Sequence, residues 1–372
     1  MLAVLSHRHG EPVKNPFDHG GTVFAVARSL GLSPEELLDF SASINPLGPA
    51  PGVREAVAAA FDRLVHYPDS DAAGLRAALA RRHGLAPQWF CVANGSTELI
   101  YLVPRLAAAG RGLIVAPPFS EYAKSLARAG READYLDLSP ADGFALSLSS
   151  LDGRLASGKY SLLFLCNPGN PTGRLISRAG VASILDLCRR RGTFLVLDEA
   201  FIDFCEEESA VALAAEREGV VVLRSMTKFF AIPGLRLGYA VGHPQTIARL
   251  AAQREPWSVN TLAQVAGIAS LADLSYPRRT RELVAAERVR LAAGLARLPG
   301  LSPFPSAANY ILVEITAGPD AAALCRRLLK ARILVRDCST FRGLDGRFFR
   351  VAVRNGEEND LLLAALERAL AG

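Results

Sequence analysis

The sequence lacks the features of a membrane or secreted protein. No apolar run reaches the roughly 18 residues that a membrane-spanning helix requires. The first 17 residues lack the order of basic, apolar and small residues that marks a secretory signal. We therefore expect a cytoplasmic protein without a membrane partner.

Metal sites and nucleic-acid binding are also disfavoured. The six cysteines form no CxxC pair and show none of the spacings of a zinc site, which favours reduced thiols and no metal. The net charge is +5, and the basic residues are scattered instead of forming the block that a nucleic-acid partner would need. This mild basic excess remains compatible with anionic small substrates. No Gly-x-Gly-x-x-Gly turn follows an early strand, which argues against a nicotinamide dehydrogenase.

The 372 residues, half of them apolar, predict an α/β protein of about two domains. From residue 89 onward, predicted strands alternate with helices, which is typical of a mostly parallel sheet covered by helices. A helical region follows to about residue 298, and shorter strands and helices then predict a smaller C-terminal α/β domain. We predict a large domain over 49–275 and a small domain formed by 1–48 and 276–372. The predicted strands lie at 89–93, 113–116, 133–138, 161–166, 193–197, 220–223, 237–241, 310–315, 333–335 and 348–353. Helices are predicted over 51–63 and from segment 94–97 through residue 106.

Polar motifs follow several of these strands, at the edge where open α/β sheets bind ligands. Segment 94–97, Asn-Gly-Ser-Thr, begins a helix whose free amides suit an anion, although an N-cap by Ser96 or Thr97 explains it equally well. Segment 167–173 contains two Asn-Pro pairs, which force a non-helical loop. The Asn170 amide could hydrogen-bond a ring substituent there. Phe119 follows another strand, where core packing is the commoner role of an aromatic residue.

Two further strand ends carry an acid and a lysine. Asp198 ends a nearly all-apolar strand, so its carboxylate needs a partner, which could be a helix cap, an arginine or a protonated pyridine nitrogen. Ser225, Thr227 and Lys228 follow the next strand, and Arg236 comes eight residues later. A lone lysine here is usually solvated. Together, these groups suit a phosphate-bearing aldehyde cofactor of the pyridoxal phosphate (PLP) type.

With these motifs in this order, the sequence resembles the fold-type I PLP enzymes of the aspartate aminotransferase superfamily from His19 to the C-terminus. The resemblance implies that Lys228 binds the cofactor aldehyde and moves protons, while Asp198 pairs with the ring nitrogen. It also implies that Asn170 contacts the ring 3-oxygen and that Phe119 covers the ring face. The implied cofactor-phosphate contacts are Gly95, Ser96, Thr97, Ser225, Thr227, Arg236 and Tyr67. Tyr67 would come from the neighbouring subunit of a homodimer with a shared active site.

Within this superfamily the sequence is similar to the L-threonine O-3-phosphate decarboxylases of cobalamin biosynthesis. The similar stretches include segments 39–42, 44–48, 198–204 and 256–260. The related histidinol-phosphate aminotransferases typically have Tyr where this chain has Phe201, and Tyr-Asn where it has Trp257-Ser258. The implied substrate contacts are His19, Gly20, Ser43, Asn170, Arg336 and Arg350.

Among these contacts, Arg350 would bind the α-carboxylate and Arg336 the substrate phosphate. Ser43 stands where the decarboxylases are expected to have Asn. The resemblance predicts decarboxylation of threonine phosphate to (R)-1-amino-2-propanol O-2-phosphate and CO2, and histidinol-phosphate aminotransferase is the alternative. A PLP-binding regulator would carry an added DNA-binding domain, for which about 18 residues before His19 leave no room.

Overall fold

The structure, a computed structural model, describes residues 20–371. His19 lies outside the described residues. The strands are β1 Leu38–Asp39, β2 Phe90–Ala93, β3 Arg111–Ala116, β4 Ala133–Asp137, β5 Tyr160–Cys166, β6 Phe194–Asp198, β7 Val220–Ser225, β8 Gly238–Gly242, β9 Leu301–Pro303, β10 Tyr310–Ile315, β11 Ile333–Leu334, β12 Arg336–Asp337 and β13 Phe348–Ala352. The helices are α1 Val23–Leu30, α2 Pro51–Ala59, α3 Ala73–His83, α4 Gly95–Leu102, α5 Glu121–Arg128, α6 Leu148–Ser157, α7 Arg178–Arg190, α8 Val211–Glu216, α9 Met226–Phe229, α10 Pro244–Ala251, α11 Thr261–Ala272, α12 Tyr276–Arg297, α13 Ala321–Lys330 and α14 Gly356–Ala371.

A seven-stranded sheet forms the larger part of the molecule, with the strand order β2-β8-β7-β6-β5-β3-β4. Strands β7, β6, β5, β3 and β4 pair in parallel, and only β8 runs antiparallel to its neighbours β2 and β7. Strands β6 and β7 are buried almost throughout, as their apolar sequences require. The predicted mostly parallel central sheet is confirmed.

The C-terminal part contains an antiparallel sheet with the order β12-β13-β10-β9. Strand β1, from the N-terminal segment, pairs in parallel with β11. The Ala352 amide also donates to the Phe40 carbonyl at 2.9 Å. These bonds attach the N-terminal segment to the C-terminal part, while the exact domain boundaries stay a prediction.

The structure corrects several predicted elements. The strand predicted at 333–335 is present as β11 and ends one residue earlier, at Leu334, while the separate strand β12 follows in a different sheet. The helix predicted to continue to residue 106 ends at Leu102 and gives way to a 3₁₀ turn, Val103–Arg105, that contains Pro104. Similarly, the helix predicted over 51–63 ends at Ala59. Strand β9 was not predicted. Across residues 20–371, no helix combines the length and the apolar character needed to cross a membrane.

Candidate active site

A cavity of about 840 Å³ opens at the carboxyl ends of the central strands and is closed on its far side by residues of β12 and β13. The cavity lies at this edge of the sheet because the carboxyl ends of the parallel strands all meet there. The cavity brings together most of the site residues predicted from the sequence. These are Gly20, Ser43, Ser96, Thr97, Phe119, Asn170, Asp198, Thr227, Lys228, Arg236, Arg336 and Arg350.

Three of the predicted residues that lie within 20–371 do not line the cavity. Gly95 and Ser225 lie directly behind it: Gly95 is adjacent to Arg236, and the Ser225 hydroxyl is 2.7 Å from Thr227 Oγ1. Tyr67 is 79% exposed and stacks on Trp257, with ring centroids 4.5 Å apart. Tyr67 therefore faces outward from this subunit.

Lys228 lies in the short helix α9, directly after β7, and its Nζ donates to Thr227 Oγ1 at 2.8 Å. Burial lowers the pKa of Lys228 to about 8, and the positive charges of Arg236 and Arg350 act in the same direction. The Asp198 charge opposes them. At pH 7, a pKa of about 8 leaves roughly a tenth of this amine unprotonated, and this fraction can act as a nucleophile.

Asp198 ends β6, and its side chain is buried. Oδ2 accepts a hydrogen bond from the Tyr122 hydroxyl at 2.6 Å, and Oδ1 accepts from the Ala200 amide at 3.0 Å. Burial raises the pKa of Asp198, while these two hydrogen bonds and the charge of Lys228 lower it. Each oxygen keeps a further lone pair, so the carboxylate can still pair with a protonated ring nitrogen.

The first turn of α4 and the Arg236 guanidinium form an anion cradle. Gly95 begins α4 with a φ of +77°, and a Cβ there would lie 2.9 Å from Arg236 Nη2. A Cβ at Gly238 would lie 2.4 Å from the Ser96 amide nitrogen. Glycine is thus required at both positions for this close approach. The alternative of an N-cap by Ser96 or Thr97 is wrong, because Asn94 occupies the N-cap position.

Arg336 and Arg350 stand directly opposite each other on the antiparallel pair β12 and β13. Directly opposed residues project from the same face of a sheet, and both of these buried side chains line the cavity. Arg350 donates through Nη1 to Asn170 Oδ1 and through Nη2 to the Ser41 carbonyl at 3.1 Å. Arg336 donates through Nη2 to Thr340 Oγ1 at 2.9 Å. Two adjacent guanidinium groups suit a small ligand with two anionic ends.

Three uncharged side chains complete the predicted set. The Phe119 ring meets the Tyr122 ring edge to face, with centroids 5.9 Å apart. Phe201 packs edge to face on Tyr310 at 4.9 Å and offers the cavity no hydrogen-bond donor. The Ser43 hydroxyl is buried and makes no hydrogen bond within residues 20–371. It can therefore donate to a ligand in place of the expected Asn.

Sequence analysis missed the bond between Tyr122 and Asp198 as well as the loop residues Thr340, Phe341 and Arg342, which also line the cavity. The position of Tyr122, three residues after Phe119, was the available signal. Cys166 also lines the cavity, where its thiol donates to the Pro168 carbonyl at 3.2 Å. Burial raises the pKa of the Cys166 thiol, which favours a packed residue over a nucleophile.

The donor set fits PLP. An amine with a lowered pKa, a buried carboxylate with a free lone pair, an aromatic cover and a glycine-lined anion cradle meet in one cavity. This fold and site define a fold-type I PLP enzyme. The chain belongs to the aminotransferase class I and II family, whose sequence model matches residues 35–366.

Two relatives and one solved structure illustrate the similarity. The chain is 42% identical to threonine-phosphate decarboxylase from Salmonella typhimurium, over 95% of this chain and 97% of that protein. It is 36% identical to histidinol-phosphate aminotransferase from Symbiobacterium thermophilum, over 95% and 96%. The crystal structure of L-threonine-O-3-phosphate decarboxylase from Porphyromonas gingivalis superposes with a TM-score of 0.79 at 30% identity, covering 90% of this chain and all of that one.

Proposed function

We propose that this protein is a PLP-dependent decarboxylase that converts L-threonine O-3-phosphate to (R)-1-amino-2-propanol O-2-phosphate and CO2 in cobalamin biosynthesis. The pair of buried arginines, Arg336 and Arg350, in the same cavity as Lys228 carries this proposal. The substrate has two anionic ends, a carboxylate and a phosphate, which match these two cations. The 42% identity to the Salmonella enzyme over nearly the whole chain supports the same activity.

PLP, when bound, supplies a ring that withdraws electrons from the substrate Cα. Lys228 would hold the cofactor covalently, Asp198 would accept a hydrogen bond from its ring nitrogen, and Asn170 would contact its 3-oxygen. Phe119 would cover the ring face. The residues that would hold its phosphate are Gly95, Ser96, Thr97, Ser225, Thr227 and Arg236, with Tyr67 from the neighbouring subunit.

The substrate would be fixed at both ends. Arg350 would bind the α-carboxylate and Arg336 the phosphate, with further contacts from Gly20, Ser43 and Asn170. Two fixed ends leave the substrate one orientation in the cavity, and this orientation determines which bond to Cα is broken. When the carboxylate leaves as CO2, Cα needs a proton. Lys228 Nζ, with a pKa of about 8, can carry that proton at neutral pH and deliver it.

Histidinol-phosphate aminotransferase is the second candidate, because relatives with that activity are also similar over nearly the whole chain. The two activities share a phosphate-bearing amino substrate but differ in product. Purified protein loaded with PLP should release CO2 from L-threonine phosphate. It should form one molecule of 1-amino-2-propanol phosphate for each molecule of CO2. Amino transfer to a keto acid from histidinol phosphate, without CO2 release from threonine phosphate, would support the second candidate instead.

We infer that the protein is a homodimer. The short 3₁₀ segment Phe61–Val65 exposes Phe61, Leu64 and Val65, and Val65 is 81% exposed. Tyr67 and its stacking partner Trp257 add further exposed aromatic surface. Exposed apolar groups of this extent usually mark an interface between proteins. A second copy of this chain would cover them and would receive Tyr67 near its cofactor phosphate.

We also infer that the protein acts in the cytoplasm. All six cysteines are unpaired thiols in the structure. Reduced thiols are typical of the cytoplasm, where disulfides are rare.

A further inference from the structure

The loop 338–347, which joins β12 to β13, contacts the edge strand of the central sheet. Arg342 on this loop forms two parallel bonds to Asp137 at the end of β4: Nε to Oδ1 at 2.7 Å and Nη2 to Oδ2 at 2.9 Å. The Arg342 guanidinium carbon also lies 4.2 Å from the centroid of the Tyr135 ring. Arg342 and Tyr135 both line the cavity. This contact therefore closes part of the cavity wall.

Apolar packing supports the same connection. Phe341 and Leu344 of the loop pack in one cluster with Leu138 and Phe144, which follow β4. The loop is thus attached to the segment after β4 by an ion pair at one point and by apolar side chains around it.

The two residues before Arg342 contact Arg336. The Thr340 hydroxyl accepts the hydrogen bond from Arg336 Nη2 at 2.9 Å, and the Phe341 ring centroid lies 5.1 Å from the Arg336 guanidinium carbon. The position of the Arg336 head group therefore depends on the position of this loop.

We propose that Arg342 is a positioning residue for substrate binding: its clasp on Asp137 and Tyr135 holds Thr340 and Phe341 in place, and these orient Arg336 toward the substrate phosphate. The inference rests on the proposed function in one respect, namely that Arg336 binds this phosphate. The Arg342 charge is matched by Asp137 through two bonds, which favours a structural link over a further phosphate ligand.

The first test compares steady-state kinetics of the PLP-loaded wild type with R342A and R342K. Because the Arg342–Asp137 pair is about half exposed, R342A should raise KM for threonine phosphate only about fivefold and should leave kcat within about twofold. R342K should give an intermediate KM, since lysine cannot make two parallel bonds and stack on a ring at once. The dissociation constant for PLP, measured by absorbance titration, should not change. An unchanged KM or a weakened affinity for PLP would contradict the proposal.

The second test asks whether Arg342 acts through Arg336. In a double-mutant cycle with R336A, R342A should raise KM in the wild type but have little further effect in the R336A background. If the KM increases of R336A and R342A instead multiply in the double mutant, the two residues act independently. That result would overturn the proposal in favour of direct contact between Arg342 and the substrate. R191A is the matched control, because Arg191 forms an equally exposed pair with Asp152 away from the cavity. Its KM should equal that of the wild type.

Ligand binding separates failure of this inference from failure of the proposed function. Calorimetric titration of the holoenzyme with inorganic phosphate measures affinity without turnover. Affinity that falls about fivefold in R342A supports the clasp even where no CO2 is released from threonine phosphate. CO2 release with equal phosphate affinities in the wild type and R342A rejects the clasp alone. A wild type that does not bind inorganic phosphate rejects the clasp, because Arg336 then binds no phosphate.

Discussion

At the scale of single residues, the chemistry of Lys228 depends on its surroundings. An ordinary lysine amine has a pKa near 10.5 and is almost fully charged at neutral pH. Burial disfavours the charged ammonium form, and Arg236 and Arg350 repel it, so the pKa falls to about 8. Lys228 is therefore prepared to attack an aldehyde before any cofactor arrives.

We expect the reactivity of Lys228 to rise with pH around a midpoint of about 8 in the protein without cofactor. Competitive labelling with acetic anhydride, followed by mass spectrometry of the Lys228 peptide, measures this midpoint. R236Q should raise the midpoint toward 10.5, because it removes one of the positive charges that lower the pKa. A wild-type midpoint near 10.5 would contradict the environment described for this amine.

The sequence predicted the two central residues of the site but not their hydrogen-bond partners. Lys228 and Asp198 each follow an apolar strand, so their meeting at the sheet edge could be inferred from strand ends alone. Tyr122 is 76 residues away from Asp198 in the sequence. Its bond to Asp198 depends on how α5 packs against β5, where Tyr122 stacks on Phe164. The spacing of Tyr122 from Phe119 could place it near the site, but nothing local in the sequence indicates its bond to Asp198.

At the scale of secondary-structure elements, a buried ion network ties β7 to the segment after β6. Arg224 on β7 is fully buried and lies 2.9 Å from Asp203 Oδ1 and 2.6 Å from Glu206 Oε2. Glu199, directly after Asp198, lies 3.4 Å from the same guanidinium. The network therefore lies directly behind the two strand ends that carry Asp198 and Lys228.

We expect R224A to destabilise the protein by roughly 3–5 kcal/mol, because it leaves the buried Glu199 carboxylate without a compensating cation and leaves Asp203 with Arg82 alone. Urea denaturation of the wild type and the variant, followed by fluorescence and circular dichroism, measures the difference. R191A removes an exposed pair and should cost at most about 1 kcal/mol. Equal losses in the two variants would show that the buried network contributes no special stability.

The strands were predicted best where both faces of the sheet are covered, because a strand buried on both faces has a continuous apolar sequence. Strands β5, β6 and β7 are of this kind, and each was predicted to within two residues at either end. The run Ile333-Leu334-Val335 is equally apolar, yet β11 pairs with β1 of the N-terminal segment, whereas β12, which begins at the next residue, pairs with β13. Apolar sequence indicates that a segment is buried, but it does not state which strand lies beside it. Strand β9 has only three residues and was missed for lack of pattern.

At the scale of the whole molecule, Tyr67 would have a role in the proposed homodimer that it does not have in a single chain. It lies outside the cavity of its own chain, on a surface with Val65 and Trp257 that is exposed in the single subunit. If Tyr67 serves the neighbouring site, neither subunit alone has a complete set of cofactor contacts.

Mixed dimers test this arrangement. A Y67F subunit keeps Lys228 but lacks the tyrosine hydroxyl, whereas a K228A subunit keeps Tyr67 but lacks the lysine amine that would bind PLP. Each homodimer should bind PLP weakly or be inactive. Mixing and reassembling the two should restore one complete site per mixed dimer, and with it up to about a quarter of wild-type activity from a random equal mixture. No recovery despite mixed dimers, confirmed by native mass spectrometry, would place the contribution of Tyr67 within its own subunit.

The placement of Arg336 and Arg350 on the antiparallel C-terminal sheet has a consequence for how this enzyme can diversify. Apart from Tyr67, the residues that would bind PLP lie between residues 95 and 236, whereas the two guanidinium groups that would bind the substrate come from one hairpin near the end of the chain. Substitutions confined to that hairpin can change the substrate specificity while the residues that would bind PLP stay the same. New specificities can therefore evolve through substitutions in one segment, residues 336–352, without changes to the residues that would bind the cofactor.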